Sequence, residues 1–178
     1  MQRAGANRRI KEIIIYLLVF LSLIALDQVT KYVFRNKYFE DGVTTVINNF
    51  FYITYTENTG SAFSFLAGKS WAQTFFKILT AIALVVFVVL TCYFFKKRQK
   101  WLTVAFIITL SGTIGNFIDR IIFNYVRDFI SFVFGSFKFA IFNVADICLV
   151  VGVIMIIYYL LFLDKDAVFK RNNGKKDV

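Results

Sequence analysis

The chain has 178 residues, 58% of them hydrophobic, and its mean hydropathy is +0.66. Soluble domains are about 45–50% apolar, so this composition predicts a membrane protein. The formal net charge is +10, with no histidine, which excludes mechanisms that need histidine as a general base or zinc ligand. The length favours a single domain over residues 1–178. The positive charge does not indicate nucleic-acid binding, because the basic residues flank apolar segments.

The first apolar segment, at 13–33, follows a basic N-terminus. A transmembrane helix needs about 20 apolar residues to cross a hydrocarbon core of roughly 30 Å, and this segment is long enough. A basic start is also typical of a signal peptide. No small-residue cleavage site follows here, however, and the segment continues into DQVTKY. We therefore expect a first helix that is retained in the protein.

The connection at 34–70 is rich in β-branched and aromatic residues. Its central stretch is TTVINNFFYITYTENTGSAFSFL, with a polar break at 57–60. This pattern predicts a short strand pair or a small sheet at the membrane surface.

Three more segments are long enough to span a membrane, at 71–95, 102–123 and 141–163. The connection at 124–140 contains the aromatic run FISFVFGSFKFAIF, which we expect to pack at the membrane interface. The sequence therefore predicts an all-α integral membrane protein. It has four transmembrane helices and a small extracytoplasmic β-rich loop region.

The distribution of lysine and arginine predicts the orientation of these helices. Thirteen of the 21 basic residues lie in the N-terminal flank, the connection after the second span and the C-terminal tail, and five lie in the other two connections. Positive charge is retained on the cytoplasmic side, so both termini are expected to be cytoplasmic.

Ionisable residues inside spans are energetically costly and indicate function. In the predicted topology, Asp27 with Lys31, Asp119 with Arg120, and Asp146 all reach one level near the outer face. Two structural interpretations remain open: Asp27 and Lys31 form only an ion pair, and Asp119 with Arg120 only anchors the third span at the headgroups.

Helical spacing places further residues beside these groups. Gly112, Asn116 and Arg120 recur every four residues, which predicts a small, polar stripe facing the bundle. Asn143 and Asp146 are three residues apart and are expected to share a face. Lys77, early in the second span, is expected to extend to the outer interface without a functional role.

Several chemistries suit these groups in the absence of histidine. Two nearby carboxyl groups share a proton, so that one activates water while the other protonates a carbonyl oxygen. A Ser–Lys dyad is an alternative, from Lys31 or Lys77 with Ser22, Ser111 or Ser131. A hard-cation site built from the four aspartates 27, 119, 128 and 146 is another. A non-enzymatic ion carrier is the fourth.

Five short motifs occur in order along the chain. They are DQVTKY at 27–32, NTGSAF at 58–63, GTIGNFIDR at 112–120, VRDFI at 126–130 and FNVADI at 142–147. Each motif is weakly diagnostic alone, but together they resemble, in order and spacing, those of the lipoprotein signal peptidases, also called signal peptidase II. The resemblance covers nearly the whole chain apart from its termini.

This resemblance implies an intramembrane aspartyl endopeptidase of the bacterial cytoplasmic (inner) membrane, with its active site near the outer face. The family removes signal peptides from diacylglyceryl-modified prolipoproteins, cutting just before the lipidated cysteine by water activation on an Asp dyad. It implies no metal and no organic cofactor. The implied partners are prolipoprotein substrates, membrane lipids and globomycin-type inhibitors, without nucleic acid.

Matching the motifs residue by residue implies that Asp128 and Asp146 are the catalytic pair. The positions implied to bind substrate or support the site are Asp27, Lys31, Asn58, Gly60, Gly112, Asn116, Asp119, Arg120 and Asn143.

The chain departs from the family pattern at Arg127, where an apolar residue is common, and in minor ways at Ser61 and Ile147. Two interpretations of Arg127 are open: its charge holds Asp128 ionised, or its side chain faces water. The sequence assigns no role to Cys148.

Overall fold

The computed structural model describes residues 2–38, 42–60, 69 and 71–164, with side chains from residue 7 onward. Ser61 and the basic tail beyond residue 164 lie outside the described residues. Four helices are long and apolar enough to cross a membrane. They are α1 (Gln2–Tyr38), α2 (Ala72–Lys96), α3 (Lys100–Phe123) and α4 (Val144–Tyr158), which continues as a π-helical turn at Tyr159–Leu163. The prediction of four membrane-length helices is thus confirmed.

Helix α3 is the centre of the bundle. It packs against α1, α2 and α4 and is buried along most of its length. The other three helices expose rows of leucine, isoleucine and valine side chains instead. Exposed apolar surface of this extent is unfavourable in water and favourable in lipid. Polar side chains therefore gather around α3, which the surrounding helices shield from lipid.

Small residues allow α3 and α4 to approach closely. A methyl group added at Gly112 would overlap the carbonyl oxygen of Ala145 and lie 3.0 Å from Cβ of Cys148. Gly152 on α4 meets Thr109 of α3 in the same way. Close backbone approach through small residues is a common means of helix association in membranes. Here it brings the start of α4 against the middle of α3.

Four antiparallel strands form one sheet in the order β1-β2-β3-β4. They are β1 (Thr44–Ile47), β2 (Phe51–Asn58), β3 (Val126–Phe134) and β4 (Phe137–Lys138). The first strand pair confirms the small sheet predicted in the connection at 34–70. Its turn, however, lies at 48–50, where Asn49 adopts a φ of 58°. The polar break at 57–60 instead marks the end of β2.

The structure differs from the sequence prediction at three places. Helix α1, predicted to span 13–33, extends from Gln2 to Tyr38. The connection at 124–140, expected only as an aromatic loop, contributes β3 and β4, because its backbone pairs with β2. The fourth span was expected to begin at 141, but α4 begins at Val144. Phe142 bonds to Ile130 of β3, which keeps the preceding residues extended.

Candidate active site

The start of α4 fixes the position of Asp146. Asn143 is the N-cap residue, with an extended backbone, and its side chain accepts a hydrogen bond from the Asp146 amide at 3.0 Å. The Asp146 carboxylate accepts one in return from the Asn143 amide at 3.1 Å. This reciprocal capping box needs the three-residue spacing found in the sequence. Asn143 and Asp146 are therefore a cap and its partner rather than two residues of one helical face.

Strand β3 carries Asp128 to the same place. The carboxylate of Asp128 accepts hydrogen bonds from Nδ2 of Asn143 at 2.6 Å and from Nδ2 of Asn58 at 2.9 Å. Asn58 ends β2, next to β3 in the sheet, so strand pairing brings this amide within reach. Three separate chain segments therefore meet at one carboxyl group.

Asn116 of α3 connects the two acids. Its Nδ2 donates to Asp146 at 2.8 Å, and its Oδ1 accepts from Nδ2 of Asn143 at 3.0 Å. Each of the four carboxylate oxygens of Asp128 and Asp146 thus accepts an amide N–H. Among the described residues, the ion pairs involve neither of these two aspartates. We call these two acids the open pair.

The surroundings of Asp128 favour its neutral form. Burial, followed by the nearby Asp146, raises the pKa of Asp128 to about 7, although the amides of Asn58 and Asn143 oppose the shift. Two carboxyl groups that cannot both ionise share a proton near neutral pH. One member of the open pair can then accept a proton while the other donates one.

A second group of charged side chains lies behind the open pair, between α1 and α3. Lys31 pairs with Asp27 at 2.9 Å and with Asp119 at 3.5 Å, and Arg127 pairs with Asp119 at 2.7 Å. We call these four residues the charge cluster. All are almost fully buried, and two cations balance two acids. The cluster confirms the Asp27–Lys31 ion pair, whereas Asp119 is too deeply buried to anchor α3 at the headgroups.

Hydrogen bonds join the charge cluster to the open pair. Asp27 accepts from the backbone N–H of Ala145 at 2.8 Å, in the first turn of α4. Lys31 donates to Oδ1 of Asn116 at 2.9 Å. The cluster therefore holds both the start of α4 and the asparagine that contacts Asp146.

Both interpretations of Arg127 offered by the sequence are wrong. Its side chain is 4% exposed, so it does not face water. Its guanidinium bonds Asp119 and Gln28 instead of Asp128. Gln28, which the sequence did not single out, also donates to Asp27, Asp119 and the Gly115 carbonyl.

The lysines of the alternative Ser–Lys dyads have other partners. Lys31 belongs to the charge cluster, and Lys77 donates to Asn124 at 2.7 Å, at the end of α3. Ser111 donates to the Ile107 carbonyl at 2.8 Å. Among the described residues, no group of three or more acids or cysteines is placed to hold a metal ion.

A cavity of about 710 Å³ opens beside the open pair, between α2 and α4. Its polar end is formed by Asn58, Asn116, Arg120, Asp128 and Asp146. The walls are mainly apolar and include Leu79, Ala83 and Phe87 from α2 and Ile147, Val150 and Val151 from α4. An apolar cavity with a few convergent polar groups is the usual form of a binding site.

The segment 58–60 closes one side of the polar end. Gln73 of α2 bonds the Thr59 carbonyl, Asn58 accepts from the Gly60 amide at 2.9 Å, and Arg120 lies 3.4 Å from the Gly60 carbonyl. The Arg120 guanidinium also lies 5.3 Å from the Phe76 ring centre. Its Nε is buried without a hydrogen-bond partner among the described residues.

The fold and the cavity define the chain as a polytopic membrane protein with a carboxyl-lined, largely apolar binding site. The family model for signal peptidase (SPase) II matches residues 19–162. The chain is 40% identical over 151 residues to a lipoprotein signal peptidase of Listeria monocytogenes, covering 84% of this chain and 95% of that protein. It is 38% identical over 149 residues to one from Bacillus pumilus, covering 82% and 92%.

Two solved structures of bacterial membrane enzymes agree with these matches. One has a TM-score of 0.72 at 36% identity and covers 92% of each chain, and the other has a TM-score of 0.70 at 38% identity and covers 85% of this chain and 94% of its own. The chain belongs to the signal peptidase II family, as its motifs predicted, and is therefore a bacterial membrane peptidase.

Proposed function

We propose that this protein removes signal peptides from diacylglyceryl-modified prolipoproteins, cutting just before the lipidated cysteine, and that Asp128 and Asp146 carry out the cleavage. The observation that carries this proposal is the open pair: two carboxyl groups, each bound by amide N–H groups and both contacted by Asn143, at the polar end of an apolar cavity. The named relatives are lipoprotein signal peptidases, which supplies the substrate class.

Cleavage needs one ionised and one protonated carboxyl group. The ionised aspartate removes a proton from a water molecule, which attacks the scissile carbonyl carbon. The protonated aspartate donates its proton to the carbonyl oxygen. When the tetrahedral intermediate collapses, the C–N bond breaks and the departing amine of the lipidated cysteine takes up the proton that the first aspartate removed from water. A hydroxyl group of the intermediate returns its proton to the second aspartate, which restores the starting protonation of the pair. The proton shared by the open pair supports both roles, and the amides of Asn58, Asn116 and Asn143 fix the carboxyl orientations.

The cavity suits an apolar substrate. Its walls on α2 and α4 suit the apolar signal peptide and its neighbouring acyl chains, which pass from the bilayer to the polar end. Arg120 lines that end with a buried Nε that has no described partner, so we assign it to a substrate carbonyl oxygen. Segment 58–60 then covers the substrate on the side opposite α4.

The site residues divide into two roles under this proposal. Asn58, Gly60, Asn116, Arg120 and Asn143 line or orient the catalytic end, while Gly112 and the acids and lysine of the charge cluster support it. The chain acts as a single membrane-embedded domain over residues 1–178. No metal or organic cofactor takes part, membrane lipids surround the spans, and globomycin-type inhibitors occupy the same cavity.

The positive-inside rule supports cytoplasmic termini and a site near the outer face of the cytoplasmic membrane. A membrane-impermeant thiol reagent tests this topology in intact cells. Position 97 changed to cysteine in a chain lacking Cys92 and Cys148 is expected to stay unlabelled until the membrane is permeabilised. Labelling of intact cells would contradict the proposed orientation.

A cleavage assay with a synthetic diacylglyceryl prolipoprotein tests the proposed activity. The purified protein, reconstituted in lipid, is expected to release the signal peptide in the presence of a chelator, seen as a shift on a gel. The same precursor without its diacylglyceryl group is expected to remain intact. Failure to cleave the lipidated precursor would contradict the proposal, and loss of cleavage on chelation would favour a metal site.

Variants identify the catalytic pair. Asp128→Asn and Asp146→Asn should each lower the cleavage rate by about 10²–10⁴-fold, the usual contribution of general acid–base catalysis. Glu57→Gln is the matched control, because it removes an exposed acid on β2 next to Asn58. Its rate should equal that of the parent protein. Parent-like turnover by either aspartate variant would overturn the assignment.

A further inference from the structure

The side chain of Arg127, on β3, makes polar contacts with α1 and α3 that an apolar residue could not make. Its guanidinium donates to both carboxylate oxygens of Asp119, at 2.7 and 3.1 Å, and to Oε1 of Gln28 at 2.9 Å. It also lies 4.7 Å from the centre of the Phe123 ring. Two-pronged contacts of this kind fix direction as well as distance. The side chain therefore has one well-defined position between α1 and α3.

The backbone of the same residue is anchored too. The Arg127 N–H donates to Oδ2 of Asp119 at 2.9 Å. On its other side, Asp128 is followed by Phe129, which is 3% exposed and stacks on Phe34 of α1 at 4.5 Å. Successive side chains of a strand point to opposite faces. Because residues 127 and 129 are held against the helices, Asp128 is directed toward the cavity.

Arg127 also supplies the second cation of the charge cluster. Without it, Asp27 and Asp119 would share Lys31 alone. Lys31 also donates to Asn116, whose amide contacts Asp146. Without Arg127, Asp119 would attract Lys31 more strongly, and the hydrogen bond from Lys31 to Asn116 would weaken. Loss of Arg127 would therefore disturb both members of the open pair, Asp128 through the strand and Asp146 through Asn116.

We propose that Arg127 is a positioning residue for the open pair: through Asp119 and Gln28 it fixes the strand that presents Asp128, and it leaves Lys31 available to Asn116. This inference rests on the proposed function, because its effect is read in peptide cleavage. It concerns a residue at which the chain departs from the signal peptidase II pattern.

Loss of the Arg127 charge should also change how the cleavage rate depends on pH. Among their charged groups, the elements around the open pair carry Asp27 and Lys31 on α1, Glu57 on β2, Lys77 on α2, Asp119 and Arg120 on α3, and Arg127 on β3. Removing the charge of Arg127 leaves the charge cluster with a net charge of −1. Ionisation of a neighbouring carboxyl group then becomes harder, so the acid limb of the pH–rate profile should move to higher pH.

Three variants test the inference. Arg127→Val introduces an apolar residue, and Arg127→Lys keeps the charge but cannot bridge both oxygens of Asp119 and Gln28 at once. Arg35→Gln is the matched control, because Arg35 lies 5.4 Å from the centre of the same Phe123 ring on the side of α1. The readouts are kcat, KM and the pH profile on the diacylglyceryl precursor, expressed per amount of monodisperse protein after gel filtration.

We expect Arg127→Val to lower kcat by about 10- to 100-fold, as small displacements of catalytic groups do. Its KM should stay within about twofold of the parent value, because the cavity walls are unchanged. Arg127→Lys should fall between Arg127→Val and the parent, with its acid limb unmoved. Arg35→Gln should match the parent in all three readouts.

Unchanged kcat and pH profile in monodisperse Arg127→Val would overturn the inference. Should that variant fail to fold, Arg127→Lys decides: a reduced kcat supports a positioning role, and a parent-like kcat refutes it. A parent protein that does not cleave the precursor removes the proposed function, and this inference with it. A parent that cleaves, with all variants equal to it, removes the inference alone.

Discussion

The two pairs of aspartates in this protein are close neighbours with opposite electrostatic surroundings. Asp27, Asp119 and Asp128 are each at most 2% exposed, so burial alone does not separate them. Within the described part of the chain, Asp27 and Asp119 have cations within ion-pair distance, whereas Asp128 and Asp146 accept hydrogen bonds from amide groups and form no ion pair. An acid with a cation partner stays ionised, and two acids without one compete for a proton. Under the proposed function, the presence or absence of a cation partner distinguishes the structural acids from the catalytic ones.

The same comparison explains why the two groups lie together. The open pair is energetically unfavourable, because burial and mutual repulsion oppose its ionisation. It needs rigid surroundings, and the charge cluster supplies them through Asp27 on Ala145 and Lys31 on Asn116. An unfavourable group of side chains that is compensated by its neighbours is expected at a functional site.

The largest expected effect is a difference in stability between a variant of the charge cluster and a variant of the open pair. Asp119→Asn leaves buried Arg127 without its ion-pair partner and should destabilise the protein by about 3–5 kcal/mol. At pH 4, where Asp128 is protonated, Asp128→Asn should change stability by no more than about 1 kcal/mol, because it replaces a neutral carboxyl group and costs only one amide hydrogen bond. Thermal unfolding in one detergent measures both. Equal losses of stability in the two variants would show that the cation partners do not distinguish the two pairs of aspartates.

The pH dependence of stability is the next effect. The folded pKa of Asp128, about 7, lies above its ordinary value of 3.8. Its contribution to stability is therefore fully present below pH 3.8 and is lost as pH rises through 7. One pKa unit corresponds to about 1.4 kcal/mol, so the loss is on the order of a few kcal/mol, shared with Asp146. Melting temperatures from pH 4 to 8 should fall in the parent, and the fall should be much smaller in Asp128→Asn.

A packing change next to the open pair should have a smaller effect. Gly112→Ala adds a methyl group against the Ala145 carbonyl, so α4 must move away from α3 at the turn that carries Asp146. Overpacking of this kind costs about 1–3 kcal/mol. We expect a marked loss of cleavage rate in this variant with only this moderate loss of stability. Gly135→Ala is the control: its φ of +61° costs stability, but no atom lies within 4 Å of the added methyl group. A parent-like rate in Gly112→Ala would contradict the importance of this contact.

The smallest expected effect concerns one amide of the open pair. Asn58→Ala removes a hydrogen bond that opposes the upward shift of the Asp128 pKa. A hydrogen bond to a charged group contributes about 1.5–3 kcal/mol when buried, and exchange with water in the cavity reduces this to about 1 kcal/mol. The pKa of Asp128 should rise further, and the pH–rate profile should move up with it. A profile identical to the parent would mean that Asn58 does not act on Asp128.

The four membrane-length helices and the convergence of the acids at one level followed from the sequence alone. Apolar runs of spanning length are sufficient to place helices in a membrane, because no other open backbone structure satisfies its hydrogen bonds there. The spans then bring Asp27, Asp119 and Asp146 to one level by length and direction. The Asn143–Asp146 contact is also local, since a capping box depends on a three-residue spacing.

Which acids have a cation partner depends on contacts between segments that are distant in the sequence. The sequence VRDF places an arginine next to Asp128, which predicts that Arg127 acts on Asp128 or faces water. Strand pairing with β2 and the contact of Phe129 with Phe34 turn Arg127 toward Asp119 instead. Strand register and helix packing set these directions through contacts between distant segments, which no short motif contains. The apolar runs and the charge pattern therefore predict where the charged residues gather, and the packing of β3 against α1 and α3 determines how they pair.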